Sequence, residues 1–211
     1  MTTLIQDNAL VLFQGDSITD SGRSRQDMTH LGDGYALITA GWFSALYPQK
    51  KVSFLNRGIS GNRVPDLIKR WQKDCISLKP TWLSILIGVN DMWRRYDSND
   101  PTSTGDFESN YRRLLDQTVA TLSSTTLILC EPFLLPINNQ QKSWRDDLDP
   151  KIEVVQRLAR DYKTILVPLD SIFAEAAKQR EPSYWLPDGV HTSPAGAALI
   201  AQSWLKTVGA I

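Results

Sequence analysis

Cysteine and histidine are scarce in this chain of 211 residues, which contains two of each: Cys75, Cys130, His30 and His191. Two cysteines cannot build a disulfide framework, and since they fall in a predicted helix and a predicted strand, we expect reduced, partly buried thiols. A zinc site made of imidazole and thiolate would need nearly all four side chains. Acid–base chemistry near neutral pH has at most two histidines to use.

A surplus of charge of one sign and long apolar runs are also absent. The 23 Lys and Arg residues balance 23 Asp and Glu residues, so the formal net charge is zero. Without a basic surplus, the chain lacks the footprint of a nucleic-acid-binding protein. No stretch approaches the roughly 18 apolar residues of a membrane span, and no basic region precedes the short apolar run at residues 9–13. We therefore expect a cytoplasmic protein that binds neither nucleic acid nor membranes.

What is present is the composition of an ordinary folded protein. Hydrophobic residues make up 42 % of the chain and charged residues 22 %, which excludes a disordered or collagen-like chain. This length suits one hydrophobic core and hardly two. Because no repeat, low-complexity tract or linker interrupts the sequence, we expect residues 1–211 to form a single domain.

Short apolar runs alternate with helical patterns along the whole chain. The runs lack polar alternation, which is typical of strands buried on both faces of a parallel sheet. We predict five strands, at residues 9–13, 52–55, 82–87, 126–129 and 164–167.

Helical patterns fill the intervals between these strands. One apolar stripe with helical spacing comprises Tyr111, Leu114, Leu115, Thr118, Val119 and Leu122. Ser103, followed three residues later by Asp106, is typical of a capping box at the start of that helix. In the last helix we predict Ser193 as the N-cap and Pro194 as the first residue.

Five strands joined by helical crossovers predict a three-layer α/β/α sandwich with a five-stranded parallel sheet, of the flavodoxin-like kind. Ligands of such sheets bind at the carboxyl ends of the strands. Four clusters of small and polar residues follow predicted strands or precede the last helix, at residues 15–20, 56–62, 88–91 and 188–191. The sequence therefore predicts a functional site that these clusters form together.

Ser17 and His191 are the candidates for nucleophilic chemistry. Ser17 follows the first strand beside Gly15, where a hydroxyl can face a cleft, although Ser and Asp at such a place also cap helices and turns. His191 stands three residues after Asp188, which lets the carboxylate accept the Nδ1 proton and leaves Nε2 as an acceptor. A surface histidine without a role is the alternative. His30 has no comparable partner, and we expect it to be solvated.

Asn90 and Gly61 each allow two interpretations. Asn90 follows the third strand at a glycine turn, where asparagine commonly only forms the turn; its side-chain amide is also a donor for a developing oxyanion. Gly61 fits a turn residue with positive φ. It also fits a backbone N–H at a spot where a side chain would block a substrate.

Together, the clusters resemble the SGNH (GDSL-type) hydrolases. The four blocks are Gly-Asp-Ser-Ile-Thr at 15–19, Gly61, Gly-Val-Asn-Asp at 88–91 and Asp-Gly-Val-His at 188–191. Each block alone is a weak signal, but the four occur in the family's order. They span residues 15–191, so the resemblance covers nearly the whole chain and implies the same α/β/α fold.

The resemblance also implies a role for each site residue. Ser17 would be the nucleophile, His191 the general base and then acid, and Asp188 the group that orients His191. The oxyanion site would combine the Ser17 N–H, the Gly61 N–H and the Asn90 side chain. A serine hydroxyl needs such a base to attack an ester at neutral pH, and preorganised donors then hold the oxyanion. This mechanism needs neither a metal ion nor a cofactor.

Within the family, the chain is most similar to cytoplasmic acetylxylan or xylo-oligosaccharide esterases, through residues 20–23, 31–35, 56–58, 87–94 and 131–136. The resemblance implies a serine esterase that removes acetyl groups from xylo-oligosaccharides or related sugars through an acyl-enzyme. A lysophospholipase or acyl-thioesterase of the same family is the alternative. A non-catalytic binding module on a flavodoxin-like fold is a different class, and the complete set of Ser, Asn, Asp and His argues against it.

Tryptophan adds two expectations. Trp93 and Trp185 each stand three residues from a motif residue, where their indole faces can stack on a sugar ring at the cleft rim; packing in the core or in a subunit contact is the alternative. The seven tryptophans, which include Trp144 and Trp204, exceed what one small core is expected to bury. We therefore expect a homo-oligomer.

Overall fold

The computed structural model describes residues 3–211, and its centre is a sheet of five strands. The strands are β1 Leu10–Gly15, β2 Ser53–Asn56, β3 Trp82–Leu86, β4 Thr126–Cys130 and β5 Ile165–Val167. They pair in parallel in the order β2-β1-β3-β4-β5. This is the flavodoxin-like order, and each strand lies within two residues of its predicted bounds.

Helices cover both faces of this sheet. They are α1 Ser17–Asp20, α2 Tyr35–Leu46, α3 Val64–Asp74, α4 Val89–Asp97, α5 Thr104–Thr121, α6 Asn139–Asp161, α7 Leu169–Ala176, α8 Pro182–Trp185 and α9 Pro194–Thr207. A short 3₁₀ helix, Ile76–Leu78, follows α3.

Alternate residues of β1 show how the layers form. Val11 and Phe13 pack into a core with α2 and α9, whereas Leu12 packs into a second core with α3 and α5. Successive side chains of a strand point to opposite faces, so one apolar run serves both cores. The predicted three-layer α/β/α sandwich with a five-stranded parallel sheet is confirmed.

The predicted N-caps Ser103 and Ser193 are confirmed, but the Asp106 carboxylate accepts from the Ser103 hydroxyl and not from its N–H, as a full capping box would require. The Ser103 hydroxyl accepts a hydrogen bond from the Asp106 N–H at 3.0 Å, and the Ser193 hydroxyl caps α9 at the N–H of Gly196. The stripe on α5 is right at its buried positions but wrong at Val119, which is 42 % exposed. Thr118, another member of the predicted stripe, is buried and accepts a hydrogen bond from the Trp71 indole N–H.

The cysteines and two of the tryptophans are more deeply buried than we expected. Cys75 and Cys130 are free thiols without exposed surface, and burial raises the pKa of each to about 12. Trp204 and Trp144 lie in the core. Of the seven tryptophans, these two therefore do not contribute to an exposed aromatic surface, because packing around the long α6 and α9 provides room for both, whereas Trp42 is 58 % exposed.

None of the helices in residues 3–211 has the length and the apolarity needed to cross a membrane. The longest, α6, has 23 residues and carries charged groups along its course. One of them, Lys151, is fully buried and donates a hydrogen bond to the Asp147 carboxylate at 2.8 Å.

The parallel arrangement brings the loops that follow β1, β2 and β3 to one edge of the sheet. The loop after β2 is held to β1, since the N–H groups of Arg57 and Ile59 donate to the carbonyls of Phe13 and Gly15. The segment before α9 reaches the same edge. All four polar clusters identified in the sequence therefore meet there.

Two glycines offer a matched test of this packing. A Cβ at Gly58 would lie 2.3 Å from the Asp20 backbone nitrogen, whereas a Cβ at Gly41, on the exposed side of α2, would meet nothing within 4 Å. We expect Gly58→Ala to lower the free energy of unfolding by about 1–3 kcal/mol through overpacking. Gly41→Ala is expected to raise it by about 0.5–1 kcal/mol through lower backbone entropy of the unfolded chain. Urea denaturation measures both, and equal effects would contradict the described approach of the loop to α1.

Candidate active site

Ser17 lies at the tight junction between β1 and α1. Gly15 ends the strand without space for a side chain, since an added Cβ would lie 2.3 Å from both the Leu86 carbonyl oxygen and the Thr19 hydroxyl. This close approach lets α1 begin two residues after the strand end. The junction therefore holds the serine at the carboxyl edge of the sheet.

The cap of α1 is supplied by Asp16. Its Oδ1 accepts a hydrogen bond from the Ile18 N–H at 3.0 Å. The sequence allowed this segment to be a helix cap or to present a hydroxyl to a cleft, and the cap is formed by the aspartate. The Ser17 hydroxyl is free of that role and contacts His191 instead.

A chain of two hydrogen bonds joins Ser17, His191 and Asp188. The Ser17 Oγ lies 2.9 Å from His191 Nε2, and His191 Nδ1 lies 2.6 Å from Asp188 Oδ2. An ionised carboxylate can only accept, so Nδ1 carries a proton and Nε2 of the neutral ring accepts from the serine hydroxyl. This is the arrangement that a serine nucleophile and its base require.

The Asp188 loop is built to hold its carboxylate against the imidazole. Asp188 Oδ1 accepts hydrogen bonds from the N–H groups of Val190 and His191, at 2.9 and 2.7 Å. Gly189 has φ +88°, a left-handed conformation that favours glycine. Gln141 on α6 donates to the Asp188 carbonyl at 2.7 Å. The orientation of Asp188 thus depends on three hydrogen bonds besides the one to the imidazole, and on the turn at Gly189.

The pKa values of Asp188 and His191 shift in opposite directions. Partial burial opposes ionisation of Asp188, but the hydrogen bonds from the His191 side chain and from the backbone outweigh it and lower its pKa to about 2. The hydrogen bond to Asp188 raises the pKa of His191 above its ordinary value, against partial burial, and the charges of Asp188 and Asp16 add to the rise. Asp188 is therefore ionised whenever His191 is neutral.

The pair is open to solvent. The side chains of His191 and Asp188 are 46 % and 47 % exposed. Solvent therefore reaches both side chains of the pair.

Two of the three expected oxyanion donors are backbone amides. Within residues 3–211, neither the Ser17 N–H nor the Gly61 N–H has a hydrogen-bond acceptor. Ser17 is the first residue of α1, where N–H groups have no partner inside the helix. Gly61 has φ +80°, so the glycine is required by the turn as well as available as a donor.

Asn90, the third expected donor, lies buried in the first turn of α4. The helix begins directly after Gly88, whose φ of +126° makes the sharp entry possible. Asn90 Nδ2 donates one hydrogen bond to the Asn62 carbonyl at 3.1 Å, and its Oδ1 accepts one from Arg94. The second N–H of the amide has no acceptor in the described part of the chain.

Two buried carboxyls are next to site residues in the sequence, since Asp16 precedes Ser17 and Asp91 follows Asn90. Burial raises the pKa of Asp16 and of Asp91 to about 7. Each accepts one backbone hydrogen bond, from Ile18 and Val64 respectively. Each also has one carboxyl oxygen without a partner among residues 3–211. Both carboxyls are therefore partly protonated near neutral pH.

The two tryptophans singled out in the sequence lie in different places. The Trp93 ring centroid is 5.7 Å from that of His191, at an interplanar angle of 50°. Trp185 donates its indole N–H to the Ala176 carbonyl and lines an apolar groove between α2 and α9. Trp93 is thus at the site, while the contacts of Trp185 correspond to the alternative of packing or a subunit contact.

His30 is not simply solvated, contrary to expectation. It is half-buried, and its Nδ1 accepts hydrogen bonds from the N–H groups of Ser24 and Gly32 at 3.1 and 3.2 Å. It fastens the loop between α1 and α2. Sequence reasoning could not predict this role, because both partners are backbone groups.

Sequence reasoning missed Gln141 and Arg94. Arg94 follows Asn90 by four residues on a helix, the spacing at which side chains meet, so that contact could have been found. The Gln141 side chain hydrogen-bonds only to backbone groups, the N–H of Ile137 and the carbonyl of Asp188, and such contacts leave no signal in the sequence. Residues 3–211 contain no cluster of three or more His, Cys, Asp or Glu side chains suited to a metal ion.

A hydrogen-bonded serine, histidine and aspartate recurs among serine hydrolases on unrelated folds. Residues 13–199 match the model of the GDSL-like lipase/acylhydrolase family. The chain therefore belongs to that family and is a carboxylic ester hydrolase, as the sequence motifs implied.

Individual relatives match over nearly the full length. An acetylxylan esterase of Geobacillus stearothermophilus is 36 % identical over 207 residues, which cover 94 % of this chain and 93 % of the relative. The solved structure of the G. stearothermophilus acetylxylan esterase Axe2 has a TM-score of 0.90 at 35 % identity and covers 97 % of this chain and 96 % of its own. A Parabacteroides merdae chain solved as a candidate GDSL-like lipase has a TM-score of 0.94 at 36 % identity, with 98 % of both chains covered.

The contact between Asp188 and His191 generates a pH prediction. Because the Asp188 carboxylate is the largest cause of the raised pKa of His191, we expect Asp188→Asn to lower that pKa. NMR titration of the imidazole measures it. In the unchanged protein, His191 stays protonated to a higher pH than an ordinary histidine, so any reaction that uses it as a base declines as the pH falls through that raised value.

The matched control is Asp149→Asn on α6, which removes an exposed carboxylate paired with Arg145 and is expected to leave His191 unchanged. An identical pKa of His191 in the unchanged protein and in Asp188→Asn would contradict the described hydrogen bond.

Proposed function

We propose that the enzyme hydrolyses acetyl esters through an acetyl-enzyme on Ser17, with His191 as general base and acid and Asp188 as its orienting partner. The observation that carries this proposal is the continuous hydrogen-bond path from the Ser17 hydroxyl through the imidazole to the carboxylate. The depressed pKa of Asp188 and the raised pKa of His191 support these roles, because the pair stabilises the imidazolium that forms when the serine loses its proton.

In the first half-reaction, Ser17 Oγ attacks the ester carbonyl carbon while His191 Nε2 takes the hydroxyl proton. The tetrahedral intermediate then collapses: the bond to the alcohol oxygen breaks, and Nε2 returns the proton to that oxygen. In the second half-reaction, water attacks the acetyl-serine by the same route, and acetate and the serine hydroxyl are released.

The negative oxygen of each intermediate is held by three donors: the N–H groups of Ser17 and Gly61 and the Asn90 amide. The two backbone N–H groups without acceptors and the unused amide hydrogen support this assignment. Donors of this kind are fixed before the reaction and need no reorganisation as charge develops. Loss of one typically costs about 3–4 kcal/mol of transition-state stabilisation.

For the substrate we propose acetyl groups on xylo-oligosaccharides or related sugars. Three observations support it. The relatives named above include acetylxylan esterases, and Axe2 variants described as catalytic mutants replace a serine, an aspartate and a histidine, the last two spaced three residues apart as Asp188 and His191 are. The exposed triad leaves room for a sugar, and Trp93 lies beside His191. Indole faces pack on the apolar faces of sugar rings.

We also propose that residues 1–211 act as one cytoplasmic domain that pairs with a second copy through α2 and the end of α9. Trp42 is 58 % exposed, and Leu37 and Ile211 are also exposed. Trp42 and Ile211 line the groove that contains Trp185, which has a volume of about 490 Å³. A net charge of zero means that two copies meet without overall repulsion.

Removal of the nucleophile tests the mechanism. We expect Ser17→Ala to lower kcat for 4-nitrophenyl acetate by at least about 10⁴-fold while the unfolding temperature stays close to that of the unchanged protein. Ser123→Ala, which changes an exposed serine after α5, is the control and should keep full activity. Undiminished turnover by Ser17→Ala would rule out the assigned nucleophile.

A substrate panel tests the specificity. Acetylated xylobiose should be hydrolysed with a higher kcat/KM than octanoyl esters of the same alcohol, because the proposal assigns a short acyl group to the site and the sugar to its open side. Faster hydrolysis of the long acyl chains would favour a lysophospholipase or acyl-thioesterase instead. Trp93→Ala should raise KM for the sugar ester more than for 4-nitrophenyl acetate if the indole packs on the sugar.

Light scattering tests the self-association. We expect a mass of at least two chains, reduced by Trp42→Ser, which removes the most exposed large apolar side chain of the proposed contact. A single-chain mass in the unchanged protein at micromolar concentration would exclude a stable oligomer.

A further inference from the structure

Among residues 3–211, Arg94 makes the one side-chain hydrogen bond to the Asn90 amide. The two residues lie one turn apart on α4, and Arg94 Nη2 donates to Asn90 Oδ1 at 3.2 Å. On its other side, Asn90 Nδ2 donates to the carbonyl of Asn62, at the end of the loop that contains Gly61. The amide is therefore bound at both ends, by α4 and by the loop.

These two partners fix which end of the amide is which. A guanidinium can only donate hydrogen bonds, and a backbone carbonyl can only accept them. If the amide were turned over, its NH₂ group would face the guanidinium and its oxygen would face the Asn62 carbonyl, so both hydrogen bonds would be lost. Arg94 and Asn62 together hold Nδ2, the end that carries hydrogens, on the side of Gly61.

The guanidinium is itself held in place. Arg94 Nη1 forms an ion pair with the Asp97 carboxylate, and Nη2 is the nearest heavy atom, at 3.8 Å, to a Cβ built on Gly61. The positive charge therefore lies next to the backbone turn that presents the Gly61 N–H. It also polarises the Asn90 amide, since a donor at Oδ1 withdraws electron density and makes the Nδ2 hydrogens more positive.

We propose that Arg94 is a positioning residue for the oxyanion site, which acts by orienting and polarising the Asn90 amide, with Asp97 as its anchor. The inference rests on the proposed function, because the orientation of the free N–H of Asn90 affects catalysis only if that N–H donates to an oxyanion. Arg94 has no contact with a reacting atom in this account. Its effect passes through Asn90.

The alternative is that the Arg94–Asp97 contact is a surface ion pair without a role in catalysis. Both side chains are about one-third exposed, and such pairs contribute little to stability. The two interpretations differ in their consequences. An ion pair alone affects only unfolding, whereas a positioning residue affects kcat and the affinity for a tetrahedral adduct.

The test is Arg94→Met, which removes the donor and the charge but keeps the length of the side chain. With 4-nitrophenyl acetate we expect kcat to fall about 10- to 100-fold with little change in KM, since the oxyanion exists only after attack. The affinity for phenylboronic acid, which forms a tetrahedral adduct with the nucleophile, should fall by a similar factor. Arg94→Lys, which keeps a charge and a single donor, should recover part of the loss.

The control is Arg95→Met on the same helix. Arg95 pairs with Asp147 instead and has no contact with Asn90, so its replacement should leave kcat unchanged. Unfolding temperatures of all variants are measured alongside. If Arg94→Met unfolds at the assay temperature, Arg94→Lys and Asp97→Asn carry the test, and unchanged kcat in both would overturn the inference.

A double-mutant cycle with Asn90→Ala isolates the route of the effect. If Arg94 acts through Asn90, adding Arg94→Met to Asn90→Ala lowers kcat no further. Independent, multiplying losses would overturn the inference, and so would full activity of Arg94→Met beside a defective Asn90→Ala. Full activity of Asn90→Ala itself would remove the oxyanion role of Asn90 from the proposed function, while the result with Ser17→Ala would still stand.

Discussion

The hydrogen bond between Ser17 and His191 joins residues 174 positions apart in the sequence. It requires the carboxyl end of β1 and the segment before α9 to meet at one edge of the sheet. Parallel pairing provides that edge, and the local details set the distance: Gly15 permits the sharp turn, Asp16 caps α1, and Gly189 turns the last loop back. The core that α2 shares with β1 and α9 then holds these two parts of the chain together.

The carboxyl groups of Asp188 and of Asp16 and Asp91 have opposite effects on the stability of the folded state when they ionise. Asp188 has a lowered pKa, so its ionisation stabilises the folded state, and that contribution is lost only as the pH falls toward about 2. Asp16 and Asp91 have pKa values raised to about 7. The folded state binds their protons more tightly than the unfolded chain does, so stability falls as the pH rises from about 4 to about 7. Burial of these two carboxyls therefore lowers the stability of the folded state at neutral pH, and function and stability commonly conflict at such sites.

Much of the fold was predictable because buried parallel strands have a simple sequence pattern. Runs such as residues 82–87 contain almost no polar side chain, and β3 is buried along its whole length. The site residues were predictable because their types and order match a family. The contact of Gln141 with the Asp188 loop was not predictable, and neither was the role of His30 in the loop between α1 and α2, since both side chains bond to backbone groups that leave no trace in the sequence. Trp144 and Trp204 were misjudged because composition does not show how much aromatic surface the long helices can cover.

The proposed reaction depends on a covalent acetyl group that Ser17 carries between the two half-reactions. Rapid acid quenching during turnover of an acetyl ester, followed by proteolysis and mass spectrometry, detects this group. We expect a transient acetyl group on the peptide that contains Ser17, which forms in a burst with release of the alcohol and disappears once the substrate is consumed. A burst with the acetyl group on another residue, or turnover in which no acetylated peptide forms under conditions where deacylation is slow, would contradict it.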